Sequence, residues 1–176
     1  MIAHRPGDFF LVPMRGIGGP AIRFGQFLNG DGFAPVQHAG MYLGDGVTIE
    51  AYPGGAIKGN IEAYSGLKIV WSSGLFDLTE DQRRLMVQIA LDFEGTPYSF
   101  LDYGALAAHR FHIPTPGLEA FIDDSGHMIC SQLVDRVCEL GGLQLFDDGR
   151  WHGDVTPADL YNLVRSIEIY NLSQGI

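Results

Sequence analysis

Two residue types in this chain suit acyl chemistry if they meet. Cys130 stands at the start of an amphipathic segment, in Ile129-Cys130-Ser131-Gln132, and His38 stands in an extended run, Gln37-His38-Ala39-Gly40-Met41-Tyr42. A thiol at a helix start is acidified by the helix end, and an imidazole can take its proton. Together they would supply the nucleophile and general base of a cysteine hydrolase or acyltransferase.

A third member depends on how the His38 strand pairs with the next one. Residues 37–43 and 47–52 flank Gly44-Asp45-Gly46 and read as a hairpin. A two-residue loop pairs Gly44 with Val47 and sends Glu50 to the face away from His38. A three-residue loop with a bulge at Gly46 pairs Leu43 with Val47 instead. That register sorts Ala39, Met41, Leu43, Val47, Ile49 and Ala51 onto one face, and His38, Gly40, Tyr42, Thr48, Glu50 and Tyr52 onto the other. A half-buried sheet should sort its faces, which favours the second register. Glu50 then lies across from Gly40 and diagonal to His38, about 7–8 Å away between Cα atoms. The absent side chain of Gly40 leaves room for the carboxylate to reach and orient the imidazole, the third role in a triad.

Other candidates are weaker. Cys138 lies eight residues beyond Cys130 on the same apolar helix, about 12 Å away, which is too far for a disulfide. It reads as core. His127 is the rival base, but so close to Cys130 in sequence it needs an awkward turn back. His109 and His112 have spacing that suits a metal, yet no further Cys or His ligand clusters with them. Asp147-Asp148-Gly149 with Asp154 lacks the ligand spacing of a calcium loop. Phosphate-binding and dinucleotide-binding glycine loops and a serine nucleophile elbow are all missing. No metal or organic cofactor is expected.

The elements that must position these residues can be read in outline. Residues 9–12 read as a buried strand after the Gly7-Asp8 turn, with further strands at 56–59 and 67–71. Residues 20–28 have helical spacing. Thr79-Glu80-Asp81-Gln82 is a capping box, opening a helix with Leu85, Met86, Ile89, Ala90 and Phe93 on one stripe and Gly95 as its stop. A short helical piece at 103–110 sits in a Pro-rich stretch. The cysteine helix runs to Gly141-Gly142, Thr156-Pro157 opens a last helix with proline in its first position, and 166–170 reads as a final strand.

At 176 residues the chain fits a single α+β domain, residues 1–176, with a core that needs no staples. Its net charge of -10 argues against nucleic acid or an anionic membrane as partner. No apolar run approaches a membrane span, and the N-terminus lacks a secretory signal. With no disulfide expected, a reducing compartment such as the cytoplasm is the simpler location.

The ordered set Gly7-Asp8-Phe9-Phe10, Gln37-His38-Ala39-Gly40-Met41-Tyr42, Glu50-Ala51, Gly95-Thr96-Pro97-Tyr98, Cys130-Ser131-Gln132-Leu133-Val134 and Thr156-Pro157-Ala158-Asp159-Leu160 resembles the permuted papain-like cysteine hydrolases. These belong to the NlpC-type superfamily, and the likeness is to its YiiX/YaeF-like branch, related to lecithin retinol acyltransferase. The histidine strand precedes the cysteine helix there, the reverse of papain. The resemblance implies a circularly permuted papain-like fold with the cysteine helix packed on an antiparallel sheet. It implies Cys130 as nucleophile, His38 as base and a polar residue twelve positions on, here Glu50. Tyr98 matches a tyrosine found beside the site in that branch, and Tyr98, Tyr42 and Gln37 are the expected substrate contacts. The expected substrate is a peptide or small acyl-amide, such as a cell-wall peptide. A lipid acyltransferase or thioesterase with the same triad, and a catalytically silent binding domain, are the alternatives.

Overall fold

A computed structural model describes residues 3–13, 34–52, 55–96, 130–150 and 155–175. In chain order the described elements are β1 (Phe9–Val12), β2 (His38–Gly44), β3 (Val47–Tyr52), β4 (Gly55–Asn60), a one-turn 3-10 helix (Ile61–Tyr64) and β5 (Val70–Trp71). Three α-helices follow: α1 (Glu80–Asp92), α2 (Cys130–Leu140) and α3 (Pro157–Gln174). The architecture is α+β. One antiparallel sheet has the strand order β4-β3-β2-β1-β5.

The β2–β3 hairpin combines features of both registers weighed above. Leu43 does not pair with Val47 as expected; Gly44 does, around a two-residue Asp45-Gly46 turn. Both turn residues have positive φ, 50° and 81°, the conformation that matches strand twist in the tightest hairpins. A bulge at Leu43 then absorbs one residue, so Tyr42 faces Thr48 and Met41 faces Ile49, as sorted faces require.

Ala39, Met41, Ile49 and Ala51, with Phe9 and Leu11 of β1, are buried in one core. Met86 and Ala90 of α1 join them, as do Leu133, Val134, Val137 and Cys138 of α2 and Ala158, Leu160 and Val164 of α3. Cys138 is therefore core, as expected. Thr79 caps α1 in the expected capping box, and Thr156 caps α3 in another, with Asp159 as partner. Leu85 departs from the expected stripe and is exposed.

Residues 166–170 are not a strand. They continue α3, which carries no Gly or Pro from 158 to 174 and ends where Gly175 turns left-handed, at φ 75°. Ile169 and Tyr170 face outward on the helix. The strand expected at 67–71 is confined to Val70–Trp71. The helices expected at 20–28 and 103–110 lie outside the described residues.

The opposite sheet face carries Phe10, His38, Gly40, Glu50 and Tyr52. Strands β4 and β5 are the two edges of the sheet, so residues 61–69, which join them, must cross its full width, about 19 Å at the usual strand spacing. They cross on this second face: the Tyr64 ring lies 5.7 Å from that of Phe10 and 6.4 Å from that of His38.

Candidate active site

Cys130 is the first residue of α2 and His38 the first of β2. Helix α2 packs across β2 and β3 on the apolar face, and its N-terminal end delivers Cys130 to the start of β2. There Cys130 and His38 share a side-chain hydrogen bond. Nε2 of His38 lies 2.7 Å from Oε2 of Glu50. Since Nε2 is committed to Glu50, Nδ1 is the nitrogen left for the thiol. All three residues are buried, at 2–4% exposure.

Three hydroxyls complete the surroundings of Glu50. Thr48 donates to Oε1 at 2.6 Å. Tyr64 donates to Oε2, and Tyr52 stands 3.0 Å from the same oxygen and 2.5 Å from the Tyr64 hydroxyl. The imidazole also lies against the Tyr52 ring, with centroids 4.7 Å apart. A buried carboxylate normally resists ionisation, but here charge and donors prevail. Burial pushes the Glu50 pKa up, while His38, then Thr48 and Tyr64, bring it below the usual 4.5.

Burial alone would make the His38 imidazolium less stable. The hydrogen bond and charge of Cys130, followed by those of Glu50, outweigh burial and raise its pKa from 6.5 to about 9. An imidazolium held between a sulfur and a carboxylate favours the thiolate. With Glu50 accepting from Nε2–H, the neutral ring keeps its lone pair on Nδ1, free to take the thiol proton. The same group can thus act as base or acid. Burial raises the Tyr52 pKa to about 12 and that of Tyr64 higher still, with the Glu50 charge adding to both. Both phenols stay protonated and able to donate. Burial pushes the Cys138 thiol well up, leaving it un-ionised at neutral pH.

Of the six residues singled out in the sequence, Cys130, His38 and Glu50 are brought together. Gln37 is buried beside them, its backbone N–H donating to Val12 and its side-chain amide to the Ala34 carbonyl at 3.4 Å. Tyr42 shares the face of His38 but lies four residues up the strand, about 13 Å away. Its ring meets Trp71 edge-on and its hydroxyl accepts from the Gly46 N–H at the hairpin tip. Tyr98 lies outside the described residues, as do His109, His112 and His127. Tyr64 was missed, and no local pattern marks it: only the crossing of 61–69 over the sheet brings it to Glu50. Tyr52 and Thr48 were visible as face-mates of Glu50 but not as its donors.

Among the described residues, no group of three or more His, Cys, Asp or Glu side chains is arranged to hold a metal ion. No helix among them is long and apolar enough to cross a membrane. Compared with models of protein families, with curated proteins and with solved structures, the chain matches none.

Proposed function

We propose that the chain is a cysteine hydrolase or acyl transferase of the permuted papain-like kind, acting through Cys130, His38 and Glu50. One observation carries the reading: a buried imidazole is hydrogen-bonded to a carboxylate through Nε2 and coupled to a thiol at a helix start. A purely structural histidine does not need both a cysteine and a carboxylate at its ring.

In the proposed reaction the Cys130 thiolate attacks the carbonyl carbon of an amide, thioester or ester. The tetrahedral oxyanion is met by N–H groups at the start of α2, which have no intrahelical acceptor. The His38 imidazolium passes its Nδ1 proton to the departing amine, thiol or alcohol as the carbon–heteroatom bond breaks. The acyl group is left on sulfur as a thioester. His38, now neutral, takes a proton from water or an acceptor alcohol or amine, which attacks the thioester and releases Cys130. Glu50 holds the ring through Nε2–H and offsets its charge. A peptide amide is the first substrate class to screen.

Iodoacetamide alkylation across pH tests the reading. Cys130 should react well below pH 8, Cys138 should stay inert until the protein is denatured, and His38→Ala should remove the low-pH reactivity. A Cys130 that titrates like an isolated thiol, near pKa about 8.5, in both proteins would overturn it.

A further inference from the structure

Four hydrogen-bonding groups converge on Glu50, and two of them are tyrosines that the triad does not require. Tyr52 lies two residues along the same strand. Tyr64 belongs to the 61–69 crossing, which spans the sheet from one edge to the other and has its first turn tied down at both ends. Ile61 N–H donates to the Gly46 carbonyl at 2.9 Å, Asn60 Oδ1 accepts from Glu62 N–H at 2.8 Å, and Leu67 N–H returns to the Tyr64 carbonyl. No residue of the 3-10 turn is fully buried. Its inward reach is therefore made by Tyr64, whose ring rests on Phe10 and whose hydroxyl meets the carboxylate.

Glu50 fills space that two glycines leave to it. A Cβ on Gly40 would come within 2.6 Å of Glu50 Cγ, and one on Gly59 within 2.9 Å of its Oε1. The glycines let the side chain in, and hydrogen bonds decide which groups its two oxygens meet. Thr48 takes one oxygen, and the tyrosine pair takes the other, the one that also meets His38.

We propose that Tyr64, assisted by Tyr52, is a positioning residue of this site: carried over the sheet by the 61–69 crossing, its hydroxyl holds the Glu50 carboxylate ionised and aimed at His38 Nε2. The proposal rests on the thiol–imidazole reading above. Tyr52 has a single hydroxyl proton, with Tyr64 at 2.5 Å and Glu50 at 3.0 Å as alternative acceptors. When the Tyr64 hydroxyl is removed, that proton can turn to Glu50 and make good part of the loss. The two tyrosines should therefore substitute for one another.

The test follows the Glu50 side-chain carbon by NMR during pH titration, assigned by its loss in Glu50→Gln. Wild type is compared with Tyr64→Phe, Tyr52→Phe and the double variant, all of which keep the rings. Among the described residues the titratable groups facing Glu50 are His38 from β2, Tyr52 from β3 and Tyr64 from the crossing, with Cys130 beyond the imidazole. Glu50 should titrate higher in Tyr64→Phe, and in the double variant by about one pH unit or more, exceeding the sum of the single shifts. Thermal midpoints of the single variants should fall only as far as the Glu50 shift requires by linkage, separating positioning from simple packing. The same proteins are alkylated with iodoacetamide beside His38→Ala. If His38→Ala abolishes low-pH alkylation but neither Tyr64→Phe nor the double variant moves the Glu50 titration, the tyrosine proposal fails and the thiol–imidazole reading survives. If His38→Ala leaves alkylation unchanged, that reading fails and takes the catalytic meaning of the tyrosines with it. Should the double variant not fold, the shift in Tyr64→Phe alone decides.

Discussion

Nε2 of His38 and Oε2 of Glu50 meet at 2.7 Å across neighbouring strands, and the residue that permits the meeting is Gly40. Continuing the Met41–Ile49 register by one residue puts Gly40 across from Glu50. A Cβ there would stand 2.6 Å from Glu50 Cγ and 2.7 Å from Phe10 Cζ. Phe10 is fully buried and cannot yield easily, so the carboxylate must move.

Gly40→Ala should therefore uncouple the site as well as strain it. The expected cost in stability is about 1–3 kcal/mol, as for other overpacked cores. Low-pH alkylation of Cys130 should fall toward the His38→Ala level, because Glu50 is driven off the imidazole. Urea denaturation and the alkylation profile check the two parts. Retention of both wild-type stability and the wild-type profile would contradict this account of Gly40.

The site was legible where its geometry follows from strand periodicity. Alternation along 37–52 sorts one polar face from one apolar face, and this alone brings Glu50 to the side of His38. The turn was less legible, since Asp45-Gly46 permits a tight two-residue loop and a bulge at Leu43 reconciles that loop with the sorted faces. Tyr64 could not be placed, because its position follows from β4 and β5 occupying opposite edges, a long-range fact that no local pattern carries. Residues 166–170 misled for the converse reason. By themselves they read as a strand, but the helix that starts at Pro157 runs on through them uninterrupted.

His38 should remain charged far into the alkaline range. Imidazole 15N shifts should show it titrating near about 9 in place of 6.5. Cys130→Ser should lower that value more than Glu50→Gln, since the sulfur contributes more than the carboxylate to the rise. The sign for stability follows by linkage. A raised pKa stabilises fully below 6.5 and loses that contribution as pH climbs through about 9. Glu50, held below 4.5, contributes above that value and loses its share as pH falls through its lowered pKa. In urea, wild type should lose more stability between about pH 6 and about pH 10 than Glu50→Gln does. Equal losses would mean that the carboxylate does not help to hold the proton on His38.

A second buried ion pair gives a prediction that should leave the chemistry untouched. Asp8 accepts from Arg83 Nη1 at 2.7 Å, from Ser73 Oγ at 2.6 Å and from the Arg5 N–H at 2.8 Å. Arg83 Nη1 also donates to the Pro6 carbonyl, and Arg83 and Asp8 are both buried. The pair fastens α1 to the chain entering β1, at the end of the strand opposite Val12, which faces His38. Asp8→Ala strands a buried guanidinium and should cost about 3–5 kcal/mol, mostly as the penalty of the unpaired charge. Arg83→Met leaves Asp8 its two lesser donors and should also destabilise. The double variant Asp8→Ala/Arg83→Met should cost clearly less than the two single changes together, because no buried charge is left behind. Urea midpoints of the four proteins measure this. Additive costs would show that the pair is not coupled. In every variant that folds, Cys130 should keep its wild-type alkylation profile, since the pair lies at the end of β1 remote from His38.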